Sequence, residues 1–347
     1  MLWFNCDYNE GAHPRILERL AQTNLEQTAG YGNDPYCRQA AELIKTKCRA
    51  AQAEVHFLCG GTQTNLTVLA ACSRPYQSIL SPASGHINVH EAGAIEATGH
   101  RIEALPEQLG KITAAQISAF CKAHWEDDNP EFAPQPRTVY ISFPTEYGTL
   151  YSLQELKDIR RACDENHLFL FIDGARLGYG LTAPGNDVTL PDIAALADVF
   201  YIGGTKIGAL FGEAVVIPNQ KLQKDFRYFM KQKGGLLAKG RLLGIQFLTL
   251  FENDLYMQIS KHANIMAERI QAVCRQVGFE FLYDSPTNQQ FPIVPNDVLK
   301  QLEEIYAFSH IKRIDKNHTA IRICTSWATR EEDVEQLNAD LRKLGGN

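Results

Sequence analysis

The sequence lacks the features that mark several classes of protein. No apolar run approaches the roughly 20 residues that a membrane span needs, and residues 1–7 show no positively charged stretch followed by an apolar one, as a signal peptide would. None of the nine cysteines forms a Cys-x-x-Cys pair, which argues against a zinc site and favours free thiols in a reducing compartment. These absences predict a cytoplasmic protein with no metal ion and no membrane partner.

Positive charge is also in deficit. The 347 residues include 34 basic and 40 acidic ones, for a formal net charge of −6. Nucleic acids bind basic surfaces, so this balance argues against a nucleic-acid partner. Hydrophobic residues make up 45% of the chain, which is enough for one large domain or for two.

Two apolar stretches end in residues that are suited to chemistry. Residues 168–172 and 199–203 are rich in Phe, Ile and Val and predict buried strands; Asp173 follows the first and Lys206 the second. Ligands bind at strand ends in α/β sheets. A lysine that forms a Schiff base and a carboxylate that keeps a pyridinium protonated are what pyridoxal phosphate (PLP) requires. A buried Asp–Lys ion pair explains these two residues equally well.

Two other stretches offer features that a PLP site would use. The segment Gly60–Thr64 predicts a glycine turn at the start of a helix, where free N–H groups and the positive end of the helix dipole favour a phosphate group. His86 follows a short strand predicted at 79–81, where its ring would be suited to stack on a pyridine. A tight turn and a structural histidine are the commoner roles of such residues.

Strands alternate with helices over the first 217 residues, which predicts an α/β fold with a mostly parallel sheet covered on both faces. Within the first 240 residues, a strand is predicted at 101–105, a helix beginning at Ser152 with a capping box to Glu155, and a helix over 219–232. The last hundred residues mix helices, near 296–307 and 330–344, with short strand candidates at 279–283, 290–294, 309–313 and 319–324. We therefore predict a large domain over residues 1–240, including the N-terminal segment, and a small α+β domain over 241–347.

Taken together, these elements resemble the L-threonine aldolase family of low-specificity type, within the fold type I PLP enzymes related to aspartate aminotransferase. The motifs that carry the resemblance are Asp173-Gly-Ala-Arg176, Thr205-Lys206, Tyr31-Gly-Asn-Asp-Pro35, Gly61-Thr-Gln63, His86 with Glu91-Ala-Gly93, and Ile321-Arg322. The resemblance covers nearly the whole chain and implies a seven-stranded, mostly parallel sheet flanked by helices.

The resemblance also implies roles in binding PLP. Lys206 would form the Schiff base, Asp173 would pair with the pyridine nitrogen, and His86 would stack on the ring. The remaining cofactor contacts that it implies come from Gly61, Thr62, Arg176 and Thr205.

For the substrate, the resemblance implies a carboxylate held by Arg322 with help from Arg176, because the planar guanidinium matches a carboxylate with two hydrogen bonds. Asp7 and Tyr31 are expected in the same site, with Tyr31 in a loop that completes the site across a dimer interface. A homodimer, or a dimer of dimers, is therefore expected.

The chain departs from the family pattern at several positions. Glu146 stands where many members have a second histidine, and Cys6 stands before Asp7 where many have serine. Thr205 replaces a common serine, and Lys233 or Lys239 occupies the region of an arginine that the partner chain often supplies. The base for the reaction is accordingly left open between His86, Glu146 and a water molecule.

The expected activity is that of a PLP-dependent lyase that cleaves a β-hydroxy-α-amino acid, such as threonine or allo-threonine, into glycine and an aldehyde. A β-eliminating lyase or an aminotransferase on the same fold is the alternative among enzymes. A PLP-fold protein used for binding alone is a third possibility, and the complete set of Asp173, Arg176 and Lys206 argues against it.

Overall fold

The computed structural model describes residues 1–345. Its strands are β1 (Leu2–Trp3), β2 (Glu54–Leu58), β3 (Gln77–Pro82), β4 (Arg101–Leu105), β5 (Gln135–Ser142), β6 (Phe169–Asp173), β7 (Val199–Gly203), β8 (Glu213–Ile217), β9 (Gln289–Gln290), β10 (Ile293–Pro295), β11 (Tyr306–Ala307), β12 (Ser309–Arg313) and β13 (His318–Cys324).

The helices alternate with these strands through most of the chain. They are α1 (Pro14–Gln22), α2 (Pro35–Cys48), α3 (Gly61–Cys72), α4 (His86–Val89), α5 (Ala114–Trp125), α6 (Leu153–Glu165), α7 (Leu177–Leu181), α8 (Leu190–Leu196), α9 (Gln220–Gln223), α10 (Phe226–Gln232), α11 (Arg241–Phe251), α12 (Leu255–Gln276), α13 (Asn296–Leu302) and α14 (Glu331–Gly345). Within residues 1–345, no helix combines the length and the apolar character that a membrane span requires.

The main sheet has seven strands in the order β2-β8-β7-β6-β5-β3-β4. Strand β8 runs antiparallel to both of its neighbours, and the other pairs are parallel. The predicted α/β architecture with a mostly parallel seven-stranded sheet is therefore confirmed. The carboxyl ends of β5, β6 and β7 lie at one edge of this sheet, where ligands bind in such folds.

Both faces of the sheet are buried, which explains the continuous apolar runs of its strands. Leu170 and Ile172 of β6 pack into one core, and Phe171 packs into another core on the opposite face. Tyr140 of β5 and Tyr201 of β7 belong to the same core as Phe171. Because side chains alternate along a strand, Asp173 points to the face of Phe171 and of these two tyrosines.

Local signals in the sequence set several helix starts. Asp34 caps α2 by accepting a hydrogen bond from the N–H of Cys37 at 2.8 Å. The predicted capping box at the start of α6 is confirmed, since Ser152 and Glu155 each bond the backbone of the other.

The small domain holds a second sheet, ordered β10-β13-β12 with β9 also paired to β13. The first residues of the chain join it, because β1 pairs in parallel with β11 and Phe4 packs into its core. The division at residue 240 stays a prediction. The packing changes within α12, where Ala263 belongs to the core of the main sheet and Met266 to that of the small domain.

Three elements that the sequence predicts are shorter or interrupted in the structure. The strand expected at 279–283 is reduced to an isolated bridge between Phe281 and Pro292. The helix expected over 219–232 is split into α9 and α10, because Asp225 adopts the left-handed conformation with φ of 66°. The helix expected at 296–307 ends at Leu302 and is followed by β11.

Candidate active site

Asp173 lies at the carboxyl end of β6 and is 4% exposed. Its Oδ2 accepts hydrogen bonds from the hydroxyl of Tyr140 at 2.6 Å and from the side-chain amide of Asn65 at 3.1 Å. Its Oδ1 accepts from the hydroxyl of Tyr201 at 2.5 Å and from the N–H of Ala175 at 3.0 Å. All four of these partners are donors, which suits a side chain that acts as an acceptor.

The two tyrosines act as neutral donors. Burial raises the pKa of Tyr140 and of Tyr201 well above the ordinary value, and the charge of Asp173 adds to the effect. Both side chains reach Asp173 because they share its face of the sheet, and Asn65 reaches it from α3, which packs on the same face. Sequence analysis missed all three residues, since nothing in their local pattern distinguishes them from core residues.

Lys206 follows β7 on a turn, and its carbonyl oxygen accepts a hydrogen bond from the hydroxyl of Tyr179 at 2.6 Å. Burial and the positive charge of Arg176 lower the pKa of the Lys206 amino group, and nearby carboxylates offset this only in part. A lysine with a lowered pKa has more of the neutral amine that attacks a carbonyl group.

His86 begins α4 and is joined to Asp173 through two intervening side chains. Nδ1 of His86 lies 2.8 Å from Oε1 of Glu91, and Asn65 donates to the same oxygen at 2.7 Å while also donating to Asp173. Burial lowers the pKa of His86, but the hydrogen bond with Glu91 and the charge of Glu146, together with other acidic groups, raise it overall.

Glu146 lies in the loop after β5 and is half-buried. Its Oε1 is 3.4 Å from the hydroxyl of Ser142. The negative charge of Glu146 contributes to the raised pKa of His86 and partly offsets the lowering at Lys206. Glu146 therefore acts electrostatically on both residues, and its role as the base stays a prediction.

Arg176 and Asp7 bind each other. The Nε and Nη2 atoms of Arg176 donate to the two carboxyl oxygens of Asp7 at 2.6 and 3.0 Å, and Asn288 donates to Asp7 at 2.9 Å. Burial raises the pKa of Asp7, but the charges of Arg176 and Lys206 and the hydrogen bonds outweigh it, so that the pKa falls to about 2. Sequence analysis placed both residues among the substrate contacts without predicting this pair.

Arg322 lies on β13 and approaches the N-terminal segment. Its Nη2 donates to the carbonyl oxygen of Asn5 at 3.1 Å and to the hydroxyl of Ser309 at 3.4 Å, while Nη1 donates to Oε1 of Gln289 at 3.4 Å. Its buried Nε has no partner in the part of the chain that the structure describes. Arg176 binds Asp7, two residues beyond Asn5, so both arginines contact the N-terminal segment.

The predicted phosphate turn lies at the start of α3. The capping residue Gly60 provides no side-chain hydrogen bond, so the N–H groups of Gly61 and Thr62 at the helix start are left for a ligand. A Cβ at Gly61 would lie 3.4 Å from the hydroxyl of Tyr201. The side chain of Gln63 donates to the carbonyl oxygen of Lys233 at 3.1 Å, which places the 233–235 loop beside this turn.

Two predicted residues have other neighbours. Tyr31 is 46% exposed and contacts Arg227, which donates to its carbonyl oxygen at 3.0 Å, and Lys231, whose Nζ lies 4.9 Å from its ring centre. The hydroxyl of Thr205 donates to Glu213 at 2.9 Å, so a phosphate group would have to compete for that proton. The roles assigned to both residues stay predictions.

Comparison with known proteins gives a consistent picture. The profile of the beta-eliminating lyase family matches residues 7–296. The low specificity L-threonine aldolase of Pseudomonas aeruginosa is 30% identical over 355 residues, covering 99% of this chain and 98% of that protein. The low specificity L-threonine aldolase of Saccharomyces cerevisiae is 27% identical over 79% of this chain and 70% of its own length.

Among solved structures, the threonine aldolase of Leishmania major superposes with a TM-score of 0.97 at 41% identity, over 99% of this chain and 100% of that one. An aspartate aminotransferase of Thermus thermophilus superposes with a TM-score of 0.71 at 12% identity, covering 99% of this chain and 91% of its own. The second similarity shows the fold alone.

Proposed function

The chain belongs to the beta-eliminating lyase family and, within it, to the low-specificity L-threonine aldolases, and we propose that it uses PLP to cleave β-hydroxy-α-amino acids into glycine and an aldehyde. The observation that carries the proposal is the placement of two residues. Asp173, buried and bonded by several donors, and Lys206 follow neighbouring strands of the sheet. Threonine and allo-threonine are the proposed substrates, since several relatives are named for activity on threonine.

The residues at this edge of the sheet fit PLP. The start of α3 offers uncapped N–H groups for the phosphate, and buried Oδ1 of Asn65 and Oε2 of Glu91 have no partners within residues 1–345. Lys206 would hold the cofactor covalently and Asp173 would bind its ring nitrogen. When bound, PLP supplies a ring that accepts the electrons of the bond that breaks.

Arg322 is the better of the two candidate arginines for binding the substrate carboxylate. Two nitrogens of Arg176 are already satisfied by Asp7 at 2.6 and 3.0 Å, whereas Nε of Arg322 has no partner among the described residues. A guanidinium fixes a carboxylate in one plane through paired hydrogen bonds. Arg322 would thereby orient the substrate as well as bind it, while Arg176 adds positive charge.

Glu146 is the proposed base that takes the proton of the β-hydroxyl group. The raised pKa of His86 keeps more of its ring protonated near neutral pH, and a protonated ring accepts no further proton. Glu146 is half-buried, and its negative charge acts on both His86 and Lys206, which supports its placement in the site. His86 then contributes its flat ring and its positive charge to the site.

The active form is proposed to be a homodimer or a dimer of dimers, in the cytoplasm. Tyr31 is 46% exposed on a loop next to Arg227 and Lys231, and a second copy of the chain would complete the site with this loop. Light scattering of the purified protein tests this, and a fully active monomer at low concentration would contradict it.

The activity is tested by product analysis of the purified protein on L-threonine and L-allo-threonine. We expect glycine and acetaldehyde, together with a visible absorbance band that is lost in Lys206→Ala. Pyruvate with ammonia would indicate β-elimination, and a keto acid would indicate transamination. A colourless protein that PLP does not reconstitute would overturn the proposal.

A further inference from the structure

Glu213 is an acidic residue at the start of an otherwise apolar strand. All of β8 is buried between β2 and β7, and Glu213 itself is 3% exposed. Burying a carboxyl group costs free energy unless polar partners replace the lost water. The partners of Glu213 therefore indicate what the residue does.

Both carboxyl oxygens of Glu213 accept hydrogen bonds from the turn immediately before Lys206. Oε2 accepts from the N–H of Gly204 at 3.1 Å, and Oε1 accepts from the hydroxyl of Thr205 at 2.9 Å. That hydroxyl in turn accepts from the N–H of Gly212 at 3.0 Å. The carbonyl oxygen of Gly212 accepts from the N–H groups of Gly204 and Thr205 at 2.9 and 3.1 Å. The turn is thus tied to the start of β8 through backbone and side chain together.

The turn is also packed too closely to move freely. A Cβ at Gly204 would lie 2.8 Å from the carbonyl oxygen of Gly212 and 2.8 Å from the ring of Phe247. Real Cβ atoms do not approach backbone so closely, so only glycine fits at this position. Glu213 therefore bonds a closely packed turn, and Lys206 follows directly after it.

We propose that Glu213 is a positioning residue for Lys206. Its carboxyl group fixes the turn that carries the lysine and, when ionised, adds a negative charge near that turn. This inference rests on the proposed function, in which Lys206 carries the cofactor. Burial raises the pKa of Glu213 and lowers the pKa of Lys206, and the positive charge of Lys206 opposes the shift at Glu213. A Coulomb interaction acts equally on both of its partners. The ionised carboxylate therefore favours a proton on the nitrogen of Lys206.

The titratable groups that act with Glu213 come from several elements: Cys59 after β2, Asp173 on β6, Tyr201 on β7, Lys206 after β7 and Tyr256 on α12. Burial raises the pKa of the thiol and of both phenols, which keeps them neutral. Two charged groups thus act on the pKa of Glu213 in opposite directions: Lys206 lowers it and Asp173 raises it.

The test is an absorbance titration of the PLP-loaded protein, without substrate, from pH 6 to pH 10. The visible spectrum reports whether the nitrogen that joins the cofactor to Lys206 holds a proton. Glu213→Gln removes the charge while keeping the shape, and we expect the transition to move to lower pH by about one unit. Glu54→Gln is the matched control, because Glu54 lies on β2 of the same sheet with its side chain 46% exposed, and it should titrate like the parent.

A second pair of variants tests the role of the Glu213 carboxylate if Glu213→Gln does not fold. The hydrogen bond from Thr205 lowers the pKa of Glu213, so Thr205→Val should leave less carboxylate at a given pH. We expect a smaller shift in the same direction for Thr205→Val and no shift for Thr205→Ser, which keeps the hydroxyl.

The outcomes separate this inference from the proposed function. A parent protein with no cofactor absorbance that depends on Lys206 would overturn the proposed function itself. A parent that binds and titrates normally, with Glu213→Gln and Thr205→Val unshifted, would overturn only the role of Glu213.

Discussion

The proposed cofactor half of the site, defined by Asp173 and Lys206, is built differently from the proposed substrate half, defined by Arg322 and its neighbour Gln289. Hydrogen bonds to the Asp173 carboxyl group measure 2.5–3.1 Å and come mainly from strands of the main sheet and from helix α3, which packs on it. Contacts of Arg322 measure 3.1–3.4 Å. Nε of Arg322 and Nε2 of Gln289 are buried without partners among residues 1–345.

This difference follows from where each half lies. Adjacent strands fix the ends of their neighbours through the backbone ladder, so Asp173 and its donors are set before any ligand arrives. The substrate half lies between the small domain and the N-terminal segment, which joins that domain through β1. Buried donors without partners are costly, and a bound carboxylate would satisfy them. Asp173 is thus preorganised by its four donors, whereas Arg322 would gain its closest partners from a ligand.

The largest effect should come from the cofactor half. Asp173→Asn keeps the size of the side chain but removes the charge that favours a protonated ring nitrogen. We expect kcat for threonine cleavage to fall roughly 10³-fold, in the range for a lost electrostatic partner at a reacting centre. Asp164→Asn, at an exposed position of α6, is the control and should keep the parent rate. A loss of less than tenfold for Asp173→Asn would remove this residue from the chemistry.

Glu146, the proposed base, should have the next largest effect. Glu146→Gln keeps the shape but cannot take a proton, so we expect kcat to fall about 10²-fold while the cofactor spectrum stays unchanged. Glu165→Gln, exposed at the end of α6, serves as the control. Cleavage of threonine by Glu146→Gln at the parent rate would leave His86 or a water molecule as the base.

A smaller and more selective effect is expected in the substrate half. Arg322→Lys keeps the charge and loses the planar fork, so KM for threonine should rise about tenfold or more, with PLP binding little changed. Arg313→Lys, on the neighbouring strand β12 with an exposed side chain, should leave KM as it is. Loss of bound PLP from Arg322→Lys would assign Arg322 to the cofactor half instead.

The smallest effect concerns stability, through the Asp7–Arg176 pair that joins the two halves. The pKa of Asp7 falls from 3.8 to about 2 on folding, so the folded state gains about 2 kcal/mol that is fully present above pH 4 and is lost as the pH falls towards 2. Urea unfolding should show the gap between the parent and Asp7→Asn narrowing by about 1 kcal/mol from pH 6 to pH 3. A gap that stays constant would mean that the pair contributes through packing rather than charge.

The sequence predicted the elements that are determined by residues close together in the chain, and it missed those that depend on distant contacts. The strand at 101–105 and the helix beginning after Ser152 were predicted accurately, because apolar runs and capping residues act within a few positions. The break at Asp225 was missed, because a left-handed residue other than glycine leaves little local trace. The strand expected at 279–283 was wrong, since it has almost no partner to pair with.

The candidate site shows the same limit. Asp173 and Lys206 were found because polar residues end two apolar runs, whereas Tyr140 and Tyr201 look like ordinary core residues along the chain. Glu213 did leave a signal, as an acidic residue directly before the apolar run Ala214–Ile217. That signal becomes meaningful only when β8 is placed against β7, which brings the carboxyl group to the turn immediately before Lys206.

The sequence by itself determined the alternation of strands and helices, the turn at Gly61, and the identity of the groups at the strand ends, because these follow from residue type and spacing over short distances. Only the tertiary structure decided which groups meet. It paired Asp7 with Arg176, joined His86 to Asp173 through Glu91 and Asn65, and left Nε of Arg322 without a partner among residues 1–345. These contacts join residues far apart in the chain, and only the packing of sheet, helices and small domain fixes their distances.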